Sequence, residues 1–212
     1  MRAGYPAIVA GMVAATIGIM GLELGWMLRQ ARRTSGRRSL DAVLPWRPGQ
    51  FTWRKSAGVL GLLAWQLLAA AALSGFKEPI IQTVFFWVPE WAVRPLPADI
   101  AATASQTVVI ITAASLLLLN GLLLPLGEEL YFRGYLLPRI TRFGAWAPLL
   151  NVALFSLYLF WTPWDLGLRI VLLLPMVYAM WRTQDLRIAI LAHCGINTLG
   201  FVLNSGPTLL AG

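Results

Sequence analysis

Charge is the scarcest ingredient of this sequence. Only 12% of its 212 residues are Asp, Glu, Lys or Arg, 58% are hydrophobic, and the mean hydropathy is +0.69. A soluble domain carries roughly 25% charged and about 45–50% apolar residues. Too few polar side chains are present to build a water-facing surface, which excludes most soluble enzymes, and the apolar excess excludes a disordered chain. Cysteine is almost absent. The single Cys194 permits no internal disulfide and no cysteine-based metal cluster, and in its apolar segment a free thiol acts as a small hydrophobe. Histidine is as rare, with His193 alone. Acidic residues are few as well: 9 against 17 Lys and Arg, a net charge of +8. In so apolar a chain that surplus marks loops beside anionic lipid rather than a nucleic-acid partner.

What is abundant is uncharged sequence. Residues 3–22, 56–76, 100–127, 143–164 and 188–212 carry no charge, and a shorter run covers 170–181. A bilayer core of about 30 Å needs roughly 20 helical residues. The expected fold is therefore all-α, a polytopic transmembrane bundle of about six spans near 5–28, 57–75, 105–126, 146–161, 165–181 and 187–206. The fifth reaches span length only if Asp165 and Arg169 lie at the interface and snorkel. Only Arg2 precedes the first apolar run and no small-residue cleavage site follows it, so it reads as a retained helix, with Glu23 near its end placed at the interface.

Eight of the 17 basic residues fall in one loop, from Arg29 to Lys55. The positive-inside rule places the 29–55 loop in the cytoplasm and both termini outside. Alternation then puts 13 basic residues inside and four outside, namely Arg2, Lys77, Arg94 and Arg169. In the loop 76–104, Pro89, Pro95 and Pro97 argue against a span, and mixed aromatic and charged residues suit an interfacial segment. No internal repeat supports an inverted-repeat transporter. The expected organisation is one integral membrane domain: residues 1–98 form N-terminal spans with the basic and interfacial loops, and 99–212 hold the polar motifs.

Polar groups inside apolar helices are costly and functional by default. The first such feature is Glu128-Glu129 followed by Arg133. Glu129 and Arg133 are i,i+4 neighbours in the favourable order for an ion pair, whereas Glu128 points about 100° away and is left for chemistry as a general base. The same pair would also suit a helix start at a membrane surface. The second is His193 with Asn197, one turn apart on one face, with Gly195 between them allowing a neighbour close approach. These two side chains can hold helices together or serve as donors to a developing oxyanion.

Glu128-Glu129 with Arg133, continuing through Gly134, and His193 with Asn197 some 65 residues after the first glutamate, resemble the CPBP family. These are intramembrane glutamic endopeptidases of the CAAX prenyl protease type II kind, with bacteriocin-processing and immunity (Abi-like) relatives. The resemblance covers roughly residues 100–206. It implies a helical membrane bundle in which Glu128 and a middle histidine activate water while His193 and Asn197 stabilise the tetrahedral oxyanion. The family's middle motif is a phenylalanine followed four residues on by that histidine. Here Phe155 is followed by Leu159, which can neither hydrogen-bond water nor take a proton, and neighbouring Tyr158 is a poor substitute.

The expected activity is thus an intramembrane endopeptidase acting on a peptide near the membrane, a prenylated one being the narrower form that the resemblance implies, with Glu129 and Arg133 as a positioning pair. Water would reach Glu128 through a cavity open to the cytoplasmic side. The alternative is a catalytically impaired relative kept as a membrane binding, immunity or regulatory protein, which Leu159 favours. No cofactor is expected. Zinc is unsuited because adjacent carboxylates diverge on a helix and a catalytic zinc usually takes three well-placed protein ligands. The expected location is the cell membrane.

Overall fold

The computed structural model describes residues 7–44, 49–89 and 105–210, with side chains described between 9 and 203. Among them every regular element is helical. Five stretches are long and apolar enough to cross a membrane: Val9–Ser35, Trp53–Val84, Gln106–Tyr158, Pro163–Thr183 and Leu186–Leu203. We label the helices α1 (Val9–Ser35), α2 (Trp53–Leu73), α3 (Lys77–Val84), α4 (residues 106–136), α5 (Ala147–Tyr158), α6 (Leu166–Thr183) and α7 (Leu186–Leu210). Within an 18-residue apolar window of each stretch only 6–33% is buried inside the protein, so the outward faces require lipid as their solvent.

About six spans agrees with this architecture, because the 53-residue stretch Gln106–Tyr158 contains two expected spans. They part at Gly144, whose φ of 56° and ψ of −131° reverse the chain in a conformation that side chains resist. The expected 146–161 span ends early. Helix α5 stops at Tyr158, and Leu159 (φ −81°, ψ 48°) stands one residue beyond it. Pro163 follows and cannot continue a helix's hydrogen bonds. In the loop after α2, Lys77–Val84 is a short helix, while residues 90–104 lie outside those described, as do the termini 1–6 and 211–212.

Two ion pairs fix the polarity of the bundle. Lys55, at the start of α2, meets Asp185 between α6 and α7 at 2.6 Å, and Lys77 beyond the end of α2 meets Asp165 before α6 at 3.6 Å. The basic loop and the α6–α7 turn therefore share one end, and the 159–165 connection lies at the other. Phe132, Phe155, Met176, Val177 and Ala189 form the main apolar core between α4, α5, α6 and α7. A smaller cluster of Met27, Ala31, Val43, Leu44 and Tyr135 seals the basic-loop end.

Candidate active site

Helix α4 is not uniform. Its segments Leu117–Leu123 and Glu129–Leu136 are wound as wider π-helical turns, as is Thr16–Met20 of α1. Widened turns disturb the i→i−4 ladder and often accompany functional sites. Side chains of facing helices take carbonyls in these turns. Asn197 donates to the Asn120 carbonyl (3.0 Å), Cys194 contacts the Leu122 carbonyl (3.7 Å), and Asn151 donates to the Phe132 carbonyl (2.8 Å). Helix α7 is thereby registered against α4, and His193 is brought over the two glutamates. Gly195 lets α2 pack closely on α7: Leu63 of α2 sits 2.9 Å from where a Cβ would stand.

The ion pair expected on α4 is present, with Arg133 Nη1 3.1 Å from Glu129 Oε1 and both side chains fully buried. The guanidinium also lies over the Phe155 ring, 4.5 Å from its centre. Glu129 has a second partner that spacing did not reveal. Its Oε1 is 2.7 Å from Nδ1 of His193, so one carboxylate joins the arginine of its own helix to the imidazole of another. The other ring nitrogen, Nε2, faces Glu128 Oε2 at 4.0 Å. Glu128 and His193 thus share one interior site, with Asn197 one helical turn from the ring.

These groups line a cavity of about 360 Å³ together with Asn197, Leu159, Phe155 and Asn120. Leu159 is therefore an apolar part of the wall that Glu128 and His193 also form. The cavity does not run towards the basic loop, as expected from sequence. It extends the other way, to Trp161, Thr162, Asp165 and Arg169. The basic-loop end is closed because Leu44 and Leu186 pack onto Gly134, 2.9 and 3.1 Å from its would-be Cβ.

Two further sequence readings are corrected. Arg169 does not snorkel outward. It turns into the bundle and donates to the carbonyls of Ser156 (3.1 Å), Leu159 (3.4 Å) and Thr162 (2.7 Å) and to the Thr162 hydroxyl, capping the frayed end of α5. A cation at a helix C-terminus also complements its dipole. Glu23 is not interfacial. It is 7% exposed, inside the bundle, with the Tyr158 hydroxyl beside its carboxylate. Asn120, absent from the sequence-based set, carried a readable signal: it is an amide deep in the uncharged run 100–127, whereas the other amide there, Gln106, stands at the helix start.

Among the described residues, no three His, Cys, Asp or Glu side chains are grouped as a metal would need. Glu129 already engages Nδ1 of His193, which leaves Nε2 and the Glu128 carboxylate facing each other at the cavity.

Residues 110–199 match the family described as type II CAAX prenyl endopeptidase, Rce1-like. This stretch contains Glu128, Glu129, Arg133, Leu159, His193 and Asn197, whereas Glu23 and the cavity-lining part of α1 lie outside it. No curated protein and no solved structure matches the chain.

Proposed function

We propose that this integral membrane protein, whose residues 110–199 match the Rce1-like type II CAAX prenyl endopeptidases, is an endopeptidase in which Glu128 activates water against a peptide bond of a membrane-proximal substrate. The observation that carries this reading is the 4.0 Å gap between Glu128 Oε2 and His193 Nε2. It is too long for a direct hydrogen bond and fits one water touching both atoms. As the water oxygen adds to the carbonyl carbon, Glu128 takes its proton and returns it to the leaving nitrogen, so the proton balance closes on one residue.

Glu129 takes Nδ1 of His193, which turns Nε2 towards the water and the developing oxyanion. Arg133 and His193 set basic groups beside the two glutamates, in a medium that penalises isolated charge. The ring and the Asn197 N–H not held by the Asn120 carbonyl are the oxyanion donors. No metal is written into the reaction, since two free donors fall short of the three protein ligands of a catalytic zinc.

The cavity's apolar wall, which includes Met12, Ile19 and Leu172, suits an apolar peptide segment. A prenylated C-terminal substrate is a narrower form of the same proposal. We place the protein in the cell membrane with the 29–55 loop cytoplasmic, in which case substrate and water enter from the opposite side.

Leu159 favours a second reading, a relative that kept the cavity and lost the reaction. A reconstituted cleavage assay with a membrane-anchored peptide library separates the two. Native protein is expected to cleave, and Glu128→Gln to lower the rate by about 10²–10⁴-fold. Cleavage that survives Glu128→Gln would overturn the mechanism. Cleavage seen only after Leu159→His would establish the impaired relative.

A further inference from the structure

At the basic-loop end of the bundle, away from the catalytic cavity, a second cavity of about 440 Å³ lies between α2, α6 and the start of α7. Its walls are small or apolar and include Gly58, Gly61, Ala179 and Ile188. Gly58 and Gly61 are both exposed, and nothing stands within 4 Å of a Cβ built on either, so the groove exists because side chains are missing there. It opens sideways, where lipid surrounds the helices.

The mouth is cationic. Arg54 and Lys55 line it. Lys55 meets Asp185 at 2.6 Å, and Asp185 is already paired with Arg187 at 2.8 Å, so Lys55 and Arg187 share one carboxylate and Arg54 adds a further positive charge at the mouth. Arg54 has no ion pair among the described residues. Its guanidinium rests 5.8 Å from the ring centre of Trp53, which is 75% exposed as an interfacial aromatic would be. Below this rim the groove has no free backbone-binding group. The one hydroxyl there, of Thr183, donates to the Ala179 carbonyl at 2.7 Å.

We propose that this groove is a binding site for one anionic phospholipid, its phosphodiester on Arg54 and Lys55 and one acyl chain laid along Gly58, Gly61 and Ala179. The positive mouth selects the phosphate against a zwitterionic headgroup's balanced charge. The apolar floor, about 12 Å long from Arg54 to Leu62, takes the first part of a chain. A peptide would leave its backbone unpaired on that floor, which lipid-facing surfaces do not tolerate.

The test is native mass spectrometry of the detergent-purified chain titrated with phosphatidylglycerol or phosphatidylcholine of identical acyl chains. The native protein should bind one phosphatidylglycerol with a preference on the order of tenfold, unaffected by millimolar inorganic phosphate. Arg54→Gln should reduce that preference by about fivefold, the worth of one basic residue near an anionic headgroup, and Arg54→Lys should restore most of it. Gly61→Leu, which the open space accommodates without disturbing the fold, should abolish binding of both lipids. Equal binding of the two lipids by the native chain would overturn the proposal. So would an unchanged preference in Arg54→Gln, or displacement by phosphate alone.

Discussion

Asp185 and Glu129 are both buried acids held by arginines, yet their surroundings differ in kind. Asp185 begins α7 and has a partner for each oxygen. Oδ1 accepts from the backbone N–H of Arg187 (3.2 Å) and from its Nε (2.8 Å), and Oδ2 accepts from Lys55 (2.6 Å) and Arg187 Nη2 (2.8 Å). Arg187 then reaches the Gly49 carbonyl at 2.6 Å, tying the basic loop to the last helix. Glu129 concentrates two partners on Oε1 and leaves Oε2 with none, and no guanidinium nitrogen of Arg133 makes an aligned hydrogen bond. Buried polar groups are normally satisfied, and in lipid the penalty for leaving them otherwise is higher still. The Asp185 cluster is arranged as a structural clasp. The Glu129 cluster keeps bonding capacity in reserve, which suits a site that must hold water and a changing charge.

Substitutions can break or sharpen that contrast. The largest effect is expected at Arg133. Removing one partner of a fully buried pair strands the other, so Arg133→Ala should cost about 3–5 kcal/mol. Folded yield and thermal stability in detergent measure this, and unchanged values would show that Glu129 and His193 suffice as a pair. Next comes Leu159. Placing an imidazole on the cavity wall by Leu159→His should raise Glu128-dependent cleavage by roughly two orders of magnitude. Equal activity with and without the ring would mean that His193 already serves.

Asp185 sharpens the comparison through pH. The hydrogen bonds from Arg187, together with Lys55, hold its carboxyl well below the usual carboxylate range, against burial, which pushes it up. A depressed native value stabilises the fold fully above the ordinary carboxylate value of about 3.9, and that contribution fades as pH falls below it. Native protein should therefore melt roughly 2–4 °C above Asp185→Asn at pH 7, and the gap should narrow in melts taken below about pH 4. A gap constant with pH would exclude the clasp's ionic character. The smallest effect concerns Glu23. If its buried carboxyl has no role in the reaction, Glu23→Leu should raise stability by about 1 kcal/mol. Reduced cleavage in the same variant, with stability raised, would place Glu23 in the working site.

Much of this molecule is legible along the chain because lipid imposes simple rules. A shortage of charge and runs of some 20 apolar residues dictate spanning helices, since only those satisfy the backbone within a bilayer. The Glu129–Arg133 pair follows from the 3.6-residue period alone, and Gly195 announces a close approach that Leu63 makes. The sequence by itself also supplied Glu128, His193 and Asn197 as costly polar groups that lipid would not tolerate idly. Only the tertiary structure decided how they meet. The His193–Glu129 contact joins residues 64 apart in sequence, and helical periodicity relates positions within one helix, never the rotation of one helix against another. That rotation is set by π-turns whose carbonyls Asn197 and Asn151 take, by Gly144 reversing the chain, and by Arg169 capping the end of α5. The burial of Glu23 and the direction of the cavity were decided in the same way, because which end of a bundle is plugged depends on side chains such as Leu44 and Leu186 converging from distant parts of the chain.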